Sequence, residues 1–166
     1  MNGSARSPTT DGGSDEDAAA VIDDSPAARV GRARCEFHET YRAIADSVRV
    51  VRADLVRFVR SAGLPEATRD AVALAVSEAA TNVVVHAYRE SGAEGTIEVT
   101  AALAANELWV IVTDTGHGLR PRPDSPGLGL GLAIIAQTAD GVDLIRPAAG
   151  GLELRMRFEV GARRAG

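Results

Sequence analysis

The sequence contains no lysine: all 18 of its basic residues are arginine. A phosphate-binding loop of the Walker type needs a lysine to reach the phosphates, so that route to nucleotide binding is closed. A single cysteine, Cys35, excludes an internal disulfide and a cysteine-held metal cluster. Aromatic residues make up only 4% of the chain, so its core must be aliphatic. No apolar run approaches the length of a bilayer span, and the N-terminus is acidic and polar rather than basic then apolar. A cytoplasmic protein without membrane attachment is therefore expected. A net charge of −5 argues against direct nucleic-acid binding as the main activity. What is there is 166 residues with 45% hydrophobic content, enough for one domain with a real core.

Residues 1–32 are rich in Gly, Ser, Ala and Asp and lack apolar periodicity, so they are expected to be a disordered, solvated tail. The domain is expected over residues 33–160, with a frayed end at 161–166. Residues 34–39 alternate weakly and predict a short edge strand, on which the solitary His38 has no assigned role. Residues 46–62 predict a helix with an apolar stripe of Val48, Val51, Leu55, Phe58 and Val59. Arg49, Arg52 and Arg60 share another face of it, with Arg57 beside them. That face reads as an ordinary solvated surface or as a docking surface for an acidic partner. Gly63 ends the helix, and Pro65 opens a second that runs to Tyr88. A hairpin follows, with strands at 96–103 and 108–113 around a turn at 104–106. The last elements are a helix over 133–139 and strands over 142–146 and 152–160.

Three stretches carry polar chemistry on this scaffold. In SEAATNVVVHAY, residues 77–88, Glu78, Asn82 and His86 fall on one stripe at about 100° per residue. Glu78 is the only formal charge in the helical run 71–88, and Val72, Val76, Ala79 and Val83 lie on the neighbouring core face. Burying a carboxylate requires compensation, either a bound cation with its ligand or an internal polar network. DTGHG, residues 114–118, follows a buried strand, where Asp114 with Gly116 and Gly118 lets the backbone turn sharply and approach a flat ligand. On its own it is compatible with a plain surface turn. Gly127, Gly129 and Gly131 in GLGLGL precede the last helix, an arrangement that exposes backbone N–H groups to phosphate oxygens. Their spacing and their place deep in the chain do not match the dinucleotide fingerprint.

Taken together and in this order, on a helix-then-sheet pattern, the three stretches resemble the Bergerat ATP-binding fold shared by gyrase, heat-shock chaperones, histidine kinases and mismatch-repair ATPases. Within that superfamily (GHKL) the chain most resembles the small bacterial anti-sigma factor serine/threonine kinases, over about residues 34–160. The resemblance implies an α+β fold, a two-layer α/β sandwich whose mixed, mostly antiparallel sheet is covered on one face by helices. It implies ATP and Mg²⁺ as cofactors. Asn82 matches the magnesium-holding asparagine, Glu78 the general base, and Asp114 the aspartate that recognises the adenine amino group. Gly116 and Gly118 leave room for base and sugar, Gly127, Gly129 and Gly131 close the phosphate side, and His86 has a supporting role. Arg52, with Arg49 beside it, falls where those kinases carry a partner-contacting arginine. The implied partners are a sigma factor and an anti-sigma-factor antagonist that serves as phosphorylation substrate, with a homodimer as the implied assembly. The linker between the two glycine motifs is too short for a gyrase-type lid. The chain departs from the family in having Gly151-Leu152 where Gly-Thr is common. The implied function is an anti-sigma factor with protein serine/threonine kinase activity. The alternative is an ATP-binding module that holds a sigma factor without phosphoryl transfer. A detached catalytic domain taking its phosphoacceptor from another chain is a third reading. No helix pair with a phosphoacceptor histidine precedes the motifs, so a self-contained histidine kinase is not expected.

Overall fold

Strands that place apolar side chains at every second position cover a helical layer with one face only, and that pattern governs this chain. The structure is a computed structural model that describes residues 35–87, 95–116, 128–148 and 150–161. The expectations for the tail, for Tyr88, Gly118 and Gly127, and for residues 162–166 lie outside the described residues. Five strands run β1 (Cys35–Arg42), β2 (Thr96–Ala104), β3 (Glu107–Asp114), β4 (Gly141–Ile145) and β5 (Leu152–Glu159). Their order in the sheet is β1-β2-β3-β5-β4. Among the described residues three helices cover one face: α1 (Ala45–Ser61), α2 (Glu66–Asn82) and α3 (Leu128–Thr138). Ile97, Val99, Leu108, Val110, Leu154 and Met156 point inward from the central strands. They meet Val51 and Leu55 of α1, Val72 and Val76 of α2, and Ile135 of α3 in one aliphatic core.

The α+β sandwich is as expected, with one difference in the sheet: every described pairing is antiparallel, so the expected mixed component is missing among the described residues. β1 is longer than expected. Its eight residues pair in unbroken register with β2, from Cys35 opposite Leu103 to Arg42 opposite Thr96. Polar residues dominate its outer side, as suits a sheet edge, and they hid its length from an apolar count. On its open face His38 bonds the Thr100 hydroxyl at 3.0 Å.

Local signals explain the helix boundaries. At the end of α1 the Gly63 N–H bonds the Arg60 carbonyl and the Leu64 N–H bonds the Val59 carbonyl. This is a Schellman closure, with Gly63 at φ 75° and Leu64 folded into the core. Pro65 then opens α2. Tyr41 of β1 ties α1 down by donating its hydroxyl to Asp54, 3.1 Å away. The β2–β3 hairpin turns on two residues, and the first, Ala105, sits at φ 52°. A Cβ-bearing residue in this left-handed region costs about 1 kcal/mol. Ala105→Gly should therefore raise unfolding stability by about 0.5–1 kcal/mol in a denaturant titration, less than the full strain because glycine also loosens the unfolded chain. A loss of stability would contradict this account of the turn.

Candidate functional site

β3 ends at Asp114, where the strand runs out beneath the end of α2. Asp114 is 3% exposed, and its Oδ1 accepts the backbone N–H of Gly116 at 2.9 Å. Burial pushes its carboxyl above the ordinary carboxylate range, and the Gly116 bond offsets part of that. Two glycines make this corner. Gly151, at φ 83°, lies against Asp114 so closely that a methyl group there would overlap the Asp114 carbonyl oxygen. A Cβ on Gly116 would likewise overlap the carbonyl oxygen of Ala87. The close approach that Gly116 permits in the structure is to the helix end at Ala87.

The end of α2 is the second component. The α-helix stops at Asn82 and widens into a π turn, Val83–Ala87. Such turns recur at functional sites. The expected straight helix to Tyr88 is therefore corrected. Beyond Asn82 the 100° step used for the stripe of Glu78, Asn82 and His86 gives way to the smaller step of the wider turn. Glu78 and Asn82 remain one α-turn apart, and His86 is half-buried on the π turn. Glu78 is half-buried too, at the rim of the core rather than inside it. In place of His86, Ala87 reaches the pocket wall. The pocket lies between Asn82, Val83 and Ala87 on one side and Val112, Asp114 and Leu152 on the other. Its enclosed part measures about 10 Å³, room for about one water, so a flat base requires the lining to move.

The third component is α3. Its expected start at residue 133 is corrected to Leu128, so Gly129 and Gly131 lie within its first two turns rather than ahead of them. The two glycines read as loop because glycine is a poor helix former, and packing of α3 on α2 overrides that preference. Within α3 the unpaired N–H groups are those of its first three residues, 128–130. A methyl on Gly131 would lie 3.1 Å from Glu78 Oε2 and 3.4 Å from each terminal atom of the Asn82 amide. The start of α3 thus directly faces Glu78 and Asn82.

The Asn82 amide holds the clearest sign of a ligand site. Its Nδ2 is buried with no hydrogen-bond partner among the described residues. The two ends of the amide exchange by rotation, so the orphaned position can present oxygen as readily as nitrogen. An oxygen there suits Mg²⁺, which takes oxygen ligands and completes its shell with phosphates and water. No cluster of three or more His, Cys, Asp or Glu side chains capable of holding a metal occurs among the described residues. A site built on one amide and on phosphate oxygens needs no such cluster. The residues present therefore fit a magnesium nucleotide.

Arg49 and Arg52 stand apart from this pocket. They line a groove between α1 and α2 together with Arg69 of α2, which the sequence did not single out. Arg49 pairs with Asp46 at 3.0 Å and Arg57 with Asp54 at 2.9 Å, so the arginine face of α1 is partly neutralised. Gly151 and Leu152, read from sequence as a departure from a family pattern, are both site residues. Leu152 lines the pocket wall opposite Asn82.

Residues 41–158 match the family model for the histidine kinase-like ATPase domain. That is well over half of the chain, which belongs to this family. Among curated proteins it is similar to the anti-sigma F factor of Clostridium botulinum, strain Eklund 17B, at 29% identity over 52% of this chain and 67% of that protein. It is similar to the anti-sigma F factor of Clostridium acetobutylicum at 28% identity over 53% of this chain and 68% of that protein. Among solved structures it resembles the RsbU and RsbW domains of Rv1364c from Mycobacterium tuberculosis, at 25% identity and a TM-score of 0.61. That match covers 75% of this chain and 32% of the solved chain, so this chain spans about a third of that protein's length. The expected resemblance to the anti-sigma factor kinases and the expected fold both stand. A GHKL-type ATPase domain implies ATP binding. No helix among the described residues is long and apolar enough to cross a membrane.

The buried Asp114 carboxylate gives a pH prediction. Its folded pKa is raised above an unfolded value near 3.9. The protonated form is therefore the one the fold favours, and that advantage is full below the unfolded value and lost as pH rises through the folded one. Asn in its place stays neutral and can keep the Gly116 bond through its oxygen. Asp114→Asn should match wild type in thermal stability at the acid end of the stable range and exceed it increasingly toward pH 7. A variant less stable than wild type at every pH would contradict the assignment.

Proposed function

We propose that the protein is an ATP- and Mg²⁺-dependent protein serine/threonine kinase that acts as an anti-sigma factor. In this reading it sequesters a sigma factor and phosphorylates an anti-sigma-factor antagonist. The observation that carries the proposal is the opposition of Glu78 and the orphaned Asn82 amide to the first turns of α3. A carboxylate, a metal-competent amide and unpaired helix N–H groups at one place suit a transferring phosphoryl group.

Each residue has a role in the transfer. Asp114 fixes one carboxylate oxygen on Gly116 and leaves the other to accept from an adenine amino group. Val112, Leu152 and Ala87 supply flat apolar contact for the base. Asn82 holds Mg²⁺, which when bound neutralises phosphate charge. The N–H groups at the start of α3 orient the phosphates. Glu78 accepts the proton of the attacking protein hydroxyl, so that the serine or threonine oxygen forms its bond to phosphorus as the bond to the leaving ADP breaks. Arg49 and Arg52 form the partner-contacting surface on α1. A homodimer along an edge of the sheet, β1 or β4, belongs to the same proposal.

The similarity to two anti-sigma F factors supports the sigma-factor part, and the ATPase family supports the nucleotide part. The test is transfer of labelled phosphate to a cognate antagonist. Glu78→Ala should bind ATP within about threefold of wild type while transfer falls by about 10²-fold or more, the usual scale of a lost general base. Full activity in that variant would remove Glu78 from the role. Retained ATP and sigma-factor binding with no transfer by wild type would replace the kinase with a non-catalytic binding module.

A further inference from the structure

The groove between α1 and α2 is not explained by the nucleotide pocket. It is an open groove of about 400 Å³ lined by Ala53, Val56 and Ala73 together with Arg49, Arg52 and Arg69. Asp70 also borders it. Arg49 has a partner in Asp46, whereas no described residue pairs with Arg52. The Arg69 Nε is buried with no hydrogen-bond partner among the described residues. A buried guanidinium nitrogen left unbonded is costly, and a carboxylate from elsewhere would relieve it. Val50 and Leu74, on the same two helices, are about half exposed. A groove lined by arginines and apolar side chains calls for an occupant with carboxylates flanking small apolar side chains.

The chain itself contains one. Asp15, Glu16 and Asp17 precede residues 18–22, AAAVI, and Asp23 and Asp24 follow them. No basic residue occurs between Arg6 and Arg29. The reach is sufficient. Asp24 and Cys35 are 11 positions apart, a tether of up to about 36 Å when extended. β1 is 8 residues long, about 27 Å, and α1 starts just past its far end and packs against it. Arg52, near the middle of α1, therefore falls within the tether's range.

We propose that residues 15–24 dock in the groove between α1 and α2, with their carboxylates on Arg52 and Arg69 and their apolar centre on Ala53, Val56 and Ala73. A tether of this length sets an effective concentration of about 1 mM, so a weak intrinsic contact suffices for occupancy. A protein partner that uses the same arginines must first displace the segment. That consequence rests on the proposed partner role of Arg49 and Arg52, whereas the docking itself involves neither nucleotide nor phosphoryl transfer.

The test uses a fluorescent peptide of residues 13–25 and three full-length chains: wild type, a tail-neutral variant carrying D15N, E16Q, D17N, D23N and D24N, and that variant with Arg52→Glu added. Anisotropy should show the peptide binding the tail-neutral chain about tenfold more tightly than wild type, whose own segment competes, given an intrinsic Kd of about 100 μM. The affinity should fall with added salt and be lost with Arg52→Glu. Arg52 is exposed on α1, so this substitution leaves the core intact. Equal binding to wild type and the tail-neutral chain would show the groove open to an external partner and overturn the proposal. No binding to either chain, or binding unaffected by Arg52→Glu, would overturn it as well.

Discussion

The carboxylate of Asp114 at the end of β3 is the constraint on which this structure turns. It is buried beside an aliphatic core, where its charged form is disfavoured, and its one described hydrogen bond is to the Gly116 N–H. Gly151, just before β5, closes over its carbonyl, and Gly116 closes against Ala87. The sheet and the end of α2 are therefore joined around a group that destabilises the protein unless a donor reaches it. A fold retains such a group only where the surrounding packing can carry the cost, and here β3 and β5 pair in register over eight residues each.

The Asn82 amide repeats that logic at the helix. An unsatisfied buried polar atom costs about 1–3 kcal/mol, and this one lies within a pocket wall where a ligand can satisfy it. The π turn beyond it redirects the chain so that Ala87, a small residue, meets Gly116. The glycine at 131 allows α3 to approach Glu78 and Asn82 without a side chain between them. The Asp114 end and the Asn82 end of the site are thus set by different elements, β3 with β5 for the first and α2 with α3 for the second. Arg52 and Arg69 lie elsewhere, in the groove between α1 and α2, apart from the pocket at the end of α2.

Much of this was legible in the sequence, for reasons that differ by element. The stripe of Val51, Leu55, Phe58 and Val59 gives α1 because each is repeated at helical spacing and buried. The alternation in residues 96–103 and 108–113 gives the hairpin because its turn is tight and its inner face apolar. Glu78, Asn82 and Asp114 stood out as polar groups in apolar surroundings. What was not legible depends on tertiary contact. The length of β1 is fixed by pairing with β2, and its own composition conceals it. The early start of α3 runs against glycine propensity and follows from packing on α2. The π turn leaves no periodic trace over five residues, so Ala87 was missed. Gly151 and Leu152 carried no signal beyond a departure from a family pattern, although a positive φ beside a strand end is the reason for the glycine.

The central claim is that Asn82 turns this corner of the fold into a magnesium-nucleotide site. Calorimetric titration of ATP into wild type and Asn82→Ala, each with Mg²⁺ and with chelator, tests it most directly. The account predicts Mg²⁺-dependent binding to wild type, weakened by about tenfold or more in the variant and there independent of Mg²⁺. Equal, Mg²⁺-dependent binding by both proteins, or no binding of ATP by wild type, would contradict it.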